Sequence, residues 1–431
     1  MRGSINSIRF ARLGWAIAAA ALLVICIATL TPSTPGIIRG ANALTRARWT
    51  ADALLADFLR NIVLFVPLGL GLRLAGVRTR QAILAGALVS LGVELLQATV
   101  VHGRDASVLD WLSNSLGTVV GAMLGTYGAA LLAPPPRRAA WLSVAWLACW
   151  LASLLLGAWG LRPAPTFARY WGERTPRIGS YADYRGELSS VRLNDVEVPS
   201  APLLNDASVR QSLRAGRVRI AAVVRPGPEP YSGLAPIVRV ADEASREILV
   251  LAESRRGLVL KVRLRASTAG LETPGVVLPG AFPVHTAEGD GFAAAESVFA
   301  QLEDGRVRLA ALGQFGTRRT EVALRPSFVW SFVVPWEYNL GSAAGFLGAV
   351  WLAALLLPVG YYGAAVERRS YRLGLLALTV VALAFGVEVV PLLFSLPRAS
   401  PAEWLAAIAG LALGYASGRR RAQNARRVLV G

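Results

Sequence analysis

The chain is poor in the residues that secreted scaffolds and soluble enzymes rely on. Of its 431 residues only 2 are cysteine and 2 are histidine, so it has neither a disulfide framework nor a Cys/His cluster with zinc spacing. Cys26 and Cys149 both fall in apolar runs and read as small packing residues. Charged residues make up 17% of the chain, against about 25% in an ordinary soluble protein. Lysine is almost absent: Lys261 is the single one, and the net charge of +18 is carried by arginine. The chain has no Gly-x-Ser-x-Gly elbow, no Walker A loop and no Gly-x-Gly-x-x-Gly after a strand, so no cofactor and no metal is expected.

What the chain has in quantity is apolar sequence: 54% of residues are hydrophobic and the mean hydropathy is +0.47. The runs 13–30, 58–76, 81–101, 108–132, 139–160, 340–366, 373–396 and 404–417 read as membrane spans, each near the ~20 residues that cross ~30 Å of hydrocarbon. The first run follows Arg2, Arg9 and Arg12 and is followed by Thr-Pro-Ser-Thr-Pro. That sequence lacks a small-residue cleavage site, so an uncleaved span is expected. The arginines collect in short connections: Arg73–Arg80, Arg137-Arg138, Arg368-Arg369-Arg372 and the basic tail 418–431. With alternating spans these segments and the N-terminus share one side, the cytoplasm by the positive-inside rule. Both termini are then cytoplasmic, and residues 161–335 face out. Arginine in membrane loops also argues against a nucleic-acid partner.

Residues 161–335 change period. Val218–Val224, Ile237–Val240, Ile248–Leu251, Leu258–Leu264 and Val307–Leu312 are short Val/Ile/Leu-rich stretches separated by Gly, Pro and Asp/Asn turns. This spacing predicts a β-sandwich. The fold class expected is therefore a multi-pass α-helical membrane protein of about eight spans with an extracytoplasmic, jelly-roll-like β-sandwich. The run from Arg217 to Arg265 resembles a concanavalin A-like, laminin-G-type domain, which implies contact with a glycan or another protein. Trp171, Tyr181 and Tyr184 are candidates to stack on a sugar ring. Asn194-Asp195 and Asn205-Asp206 read as turns.

The densest chemistry lies between Asp57 and Gly125. Ser90, Glu94 and Gln97 share one helical face; Asp110, Asn114, Gly117, Gly121 and Gly125 share another. Between them runs the corner His102-Gly103-Arg104-Asp105. Ionisable groups in a span are costly, and so are paired, inward-facing or functional. The ordered set Asn61, Phe65, Pro67, Gly69, Glu94, Gln97, Arg104, Asp110, Asn114 and Gly117 resembles the VanZ-like family of bacterial envelope membrane proteins. The resemblance covers residues 57–132 and implies a membrane protein of the cell envelope, with a link to glycopeptide-antibiotic resistance.

The candidate ligand-binding residues are Asn61, Glu94, Gln97, Arg104, Asp110 and Asn114, with Glu94 and Asp110 as candidate catalytic acids. Three readings compete. The first is a non-enzymatic bundle holding a lipid-type or glycan ligand or an envelope partner. The second is a membrane-embedded enzyme on a lipid-linked precursor, with Arg104 holding an anionic group. The third is a transporter. A second, degenerate copy is expected over 337–417, where Gly386-Val387-Glu388 echoes Gly92-Val93-Glu94, Arg398 echoes Arg104, and Glu403-Trp404 echoes Asp110-Trp111 with a slip of one residue.

Overall fold

A computed structural model describes residues 2–31, 54–101, 106–178, 181–230, 233–255, 257–282, 294–314, 316–334 and 339–430, with residues 2–10 and 425–430 as backbone only. Arg104, His102 and His285 lie outside the described residues. The chain divides into two units, Met1–Pro134 and Pro135–Gly431.

The first unit is four helices: α1 (Arg2–Leu30), α2 (Leu54–Leu74), α3 (Thr79–Thr99) and α4 (Val108–Leu132). Their amphipathicity is inverted relative to a soluble bundle. On α3 the exposed stripe is Leu84, Leu88, Leu91 and Leu95, whereas Ser90, Glu94 and Gln97 are buried. Leucine outward and polar groups inward is the pattern that hydrocarbon solvent demands. Small residues bring α2 and α4 together. A Cβ on Gly117 or Gly121 would overlap the carbonyl oxygens of Ile62 and Val66, and one on Gly69 would overlap that of Thr118. Backbone thus lies on backbone along this seam. The arginines at the ends of α2 are accommodated locally: Arg60 pairs with Asp57 at 2.6 Å, and Arg73 donates to Thr126 Oγ1 at 3.0 Å.

The second unit opens with α5 (Pro136–Gly160) and continues into a β-rich lobe. One sheet has the order β1-β5-β6-β7-β8-β12 and the other β11-β10-β9-β4-β2-β3. The strands of the first are β1 (Tyr170–Arg174), β5 (Ala235–Asp242), β6 (Glu247–Ser254), β7 (Gly257–Val262), β8 (Gly275–Leu278) and β12 (Asn339–Leu340). Those of the second are β2 (Glu187–Leu193), β3 (Val196–Glu197), β4 (Arg217–Arg225), β9 (Glu296–Glu303), β10 (Arg306–Gly313) and β11 (Gly316–Ala323). β4 alternates buried and exposed positions, so it has one wet face; β5 is buried at every position, so that strand is covered on both. Between strands lie the short helices α6 (Asp206–Arg214) and α7 (Arg265–Thr268). Asn194 and Asp195 hold positive φ values in the β2–β3 turn, as their sequence suggests.

A wholly buried 3₁₀ segment, Pro326–Phe332, leads from the lobe to α8 (Ala344–Gly363). Then come α9 (Arg369–Ala384), a π-helical turn (Phe385–Val389), α10 (Val390–Leu393) and α11 (Pro401–Val430). Among the described residues seven helices are long and apolar enough to span a bilayer. The eighth expected span, 404–417, lies within α11, which is not one of the seven; its apolar half gives way to Arg419-Arg420-Arg421. Cys149 departs from expectation. It is exposed on the outer face of α5 instead of packed, because Leu147 and Trp150 occupy the inner face.

Candidate functional site

The polar residues of the first unit meet where α3 ends and α4 begins. Ser107 caps α4 with an extended backbone, its Oγ accepting from the Asp110 N–H at 3.4 Å. In a capping box the acid three residues into the helix would reach back to the cap's own N–H. Here an acid from the neighbouring helix does so: Ser107 N–H donates to Glu94 Oε2 at 2.7 Å. Asp110 faces α2 instead, where Asn61 Nδ2 donates to its Oδ1 at 2.9 Å.

One turn along α4, Asn114 is 2% exposed and donates through Nδ2 to Ser90 Oγ at 3.1 Å. Its Oδ1 is buried and has no hydrogen-bond partner among the described residues. Such an orphan acceptor is uncommon and calls for an explanation. Gln97, 8% exposed, points elsewhere: its Nε2 donates to the Thr29 carbonyl of α1 at 2.9 Å. The structure therefore joins Asn61 to Asp110, places Glu94 beside them, sets Asn114 one turn away and commits Gln97 to α1.

Sequence reasoning missed Ser107, although Ser-x-x-Asp before an apolar run is a helix-start signal. It also missed Trp111, whose Nε1 donates to the Ala87 carbonyl at 3.1 Å and ties α4 to α3. In the lobe it missed two buried acids, Glu253 and Glu296. Glu253 is 2% exposed, and burial followed by the nearby Glu229 charge pushes its carboxyl up to about 8. Burial also raises Glu296, whose Oε2 has no partner among the described residues, and Tyr184. Of the proposed sugar-stacking aromatics, Trp171 is 42% exposed on β1, whereas Tyr181 donates its hydroxyl to Glu247 at 2.6 Å.

Residues 17–129 match the model of the VanZ/LLP1 family. That span holds all of α2 and α3, most of α4, the second half of α1, and every candidate ligand residue. No curated protein matches the chain, and no solved structure does.

Proposed function

We propose that this VanZ-like membrane protein works in the bacterial cell membrane as a binding protein, with the α2–α4 bundle receiving a lipid-type ligand or envelope partner at the Asn61, Glu94, Asp110 and Asn114 corner. The observation that carries this reading is the buried Asn114 Oδ1 without a hydrogen-bond partner among the described residues, one helical turn from the Asn61–Asp110 pair. A bundle needing hydrogen bonds only for packing has little reason to bury an acceptor without a donor. Loop arginines support cytoplasmic termini, with residues 161–335 outside. There the β-rich lobe, with Trp171 exposed on its first strand, meets a glycan or another envelope protein. The family match supports a role in cell-wall physiology, including the response to glycopeptide antibiotics.

Glu94→Gln and Asp110→Asn test the site together, because both keep shape and remove charge. Teicoplanin susceptibility and the copurifying lipid profile should both change while the protein still accumulates in the membrane. Unchanged lipid and susceptibility at normal abundance would end the proposal. A lost phenotype with ligand binding intact would move the assignment to a membrane-embedded enzyme.

A further inference from the structure

The helices of the second unit reproduce the glycine seam of the first. Gly410 and Gly414 of α11 lie against Ala353 and Leu357 of α8, as Gly117 and Gly121 of α4 lie against Ile62 and Val66 of α2. Gly360 faces the Leu411 carbonyl as Gly69 faces that of Thr118. The two bundles part at their third helix. In the first, Gly86 of α3 sits so near the Thr118 side chain that a Cβ would overlap it, and the Asn114–Ser90 and Trp111–Ala87 hydrogen bonds tie α3 to α4. In the second, α9 has no glycine between Gly374 and Gly386, and Leu411 stands where Thr118 does. Close approach of membrane helices needs small residues, and without them on the facing sides α9 stands off α11. A cavity of about 770 Å³ is left among α8, α9 and α11, within the roughly 300–1,000 Å³ of a ligand pocket.

The cavity has the depth of one leaflet. Its lining runs from Arg372 to Leu383 on α9 and from Ile408 to Arg419 on α11, about 16 Å of helix on each and half of the ~30 Å of hydrocarbon. Both arginines stand at one end, because α8 and α11 run parallel and α9 turns back just after α8 stops at Gly363. Inward of them the wall is aliphatic, with Leu376, Val380, Ile408 and Leu411. Two hydroxyls that reach it are spent within the protein: Ser143 Oγ donates to the Val359 carbonyl and Thr379 Oγ1 to that of Leu375, each at 2.8 Å. The two arginines also differ from their neighbours. Arg421 donates to Tyr361 Oη at 2.5 Å, and Arg368 lies over the Tyr371 ring at 5.8 Å. Neither the Arg372 nor the Arg419 guanidinium has a hydrogen bond or ion pair among the described residues.

An occupant that suits this cavity is apolar for one leaflet's depth and anionic at the arginine end. Guanidinium groups bind phosphate oxygens through paired N–H donors, and basic pockets between membrane helices on the positive side hold lipid headgroups. We propose that the α8–α9–α11 cavity holds one anionic phospholipid of the arginine-side leaflet, with its phosphate at Arg372 and Arg419 and an acyl chain among Leu376, Val380, Ile408 and Leu411. The site shares no residue with the Asn61–Asp110 corner, so it stands or falls independently of the binding role assigned there.

The full chain would be reconstituted in nanodiscs containing equal parts phosphatidylglycerol, phosphatidylethanolamine and phosphatidylcholine, and retained lipid counted by native mass spectrometry. Phosphatidylglycerol should be retained about tenfold over the two zwitterionic lipids. The double variant Arg372→Gln/Arg419→Gln should lose that preference, and so should Ile408→Trp, which fills the cavity and keeps both arginines. Arg420→Gln, whose arginine lies outside the cavity, should keep it. Circular dichroism should be unchanged in each. Equal retention of the three lipids by the unaltered chain would overturn the proposal with no variant needed. A preference that survives Ile408→Trp, or that falls equally with Arg420→Gln, would overturn it in favour of diffuse attraction to the basic tail. A lipid-free dimer broken by Ile408→Trp would overturn it in favour of a second copy of the chain.

Discussion

In the first bundle the N–H of the α4 cap is met by Glu94 from α3, whereas in the second the N–H of Ser400 is met by Glu403 from α11 itself. One methylene separates the two arrangements. Glutamate at the third helical position reaches back to the cap in the usual box geometry, and aspartate is shorter. With Asp110 there, the capping role passes to the neighbouring helix, and the Asp110 carboxylate faces α2. With Glu403 there, the acid caps its own helix, accepts the Ser327 hydroxyl and forms an ion pair with Arg325. Glu388, the counterpart of Glu94, instead accepts from Trp404 Nε1 at 2.9 Å and lies 3.7 Å from Arg398. The helix bearing it contains a π-helical turn that α3 lacks, and a cavity of about 770 Å³ lies among α8, α9 and α11. A shared glycine seam therefore carries two different corners: one in which Glu403 meets Ser327 and Arg325, the other in which Asn114 Oδ1 has no hydrogen-bond partner among the described residues.

The largest expected effect tests whether the seams are equivalent. Gly121→Leu and Gly414→Leu each drive a side chain into a facing carbonyl, of Val66 or Leu357. Each should cost more than about 3 kcal/mol and remove the protein from the membrane fraction. Normal abundance of either variant would separate the two bundles at their foundation. Next comes the sealed corner. Arg325→Ala leaves Glu403 buried with one ion-pair partner fewer. A drop in Tm that millimolar ethylguanidinium reverses would show that the guanidinium itself fills the corner; no drop would make it ornamental.

A buried acid outside both bundles gives the pH-dependent contrast. Glu253 has its folded pKa raised from 4.5 to about 8, so the folded lobe holds it protonated. Its stabilising contribution is complete below about 4.5 and declines as pH rises to about 8. Thermal unfolding of the full chain should shift down across that window, and Glu253→Gln should flatten the slope. The smallest effect belongs to Asp110→Asn. Asn61 keeps an oxygen acceptor in the variant, so the Tm should move by less than the equivalent of about 1 kcal/mol while ligand retention is lost. A large stability loss would make Asp110 a packing residue.

Much of this was legible along the chain. Hydrophobic runs located the seven spanning helices because ~30 Å of hydrocarbon imposes a length and forbids open backbone. Short Val/Ile/Leu-rich stretches between turn residues located β4, β5, β6, β7 and β10, alternating in the half-buried β4 and β10 and continuous in the fully covered β5 and β6. Spacing also put Glu94 and Gln97 on one face of α3. It could not say that Gln97 turns to α1 while Glu94 turns to Ser107, since adjacent positions on one face reach different neighbours once helices pack. Nor could it find Ser327 and Arg325, which stand 76 and 78 positions before Glu403. Nothing local to Arg325-Pro326-Ser327 marks it as the plug of a helical corner.

Composition and periodicity alone decided that this chain lives in a bilayer, where its helices run, and that a β-rich lobe interrupts them. These are one-dimensional consequences of solvent and repeat length, written in every window of residues. Which acid caps which helix, which acceptor is left without a donor, and which bundle closes on its own arginine were decided only when distant side chains came within about 3 Å, the range over which hydrogen bonds act.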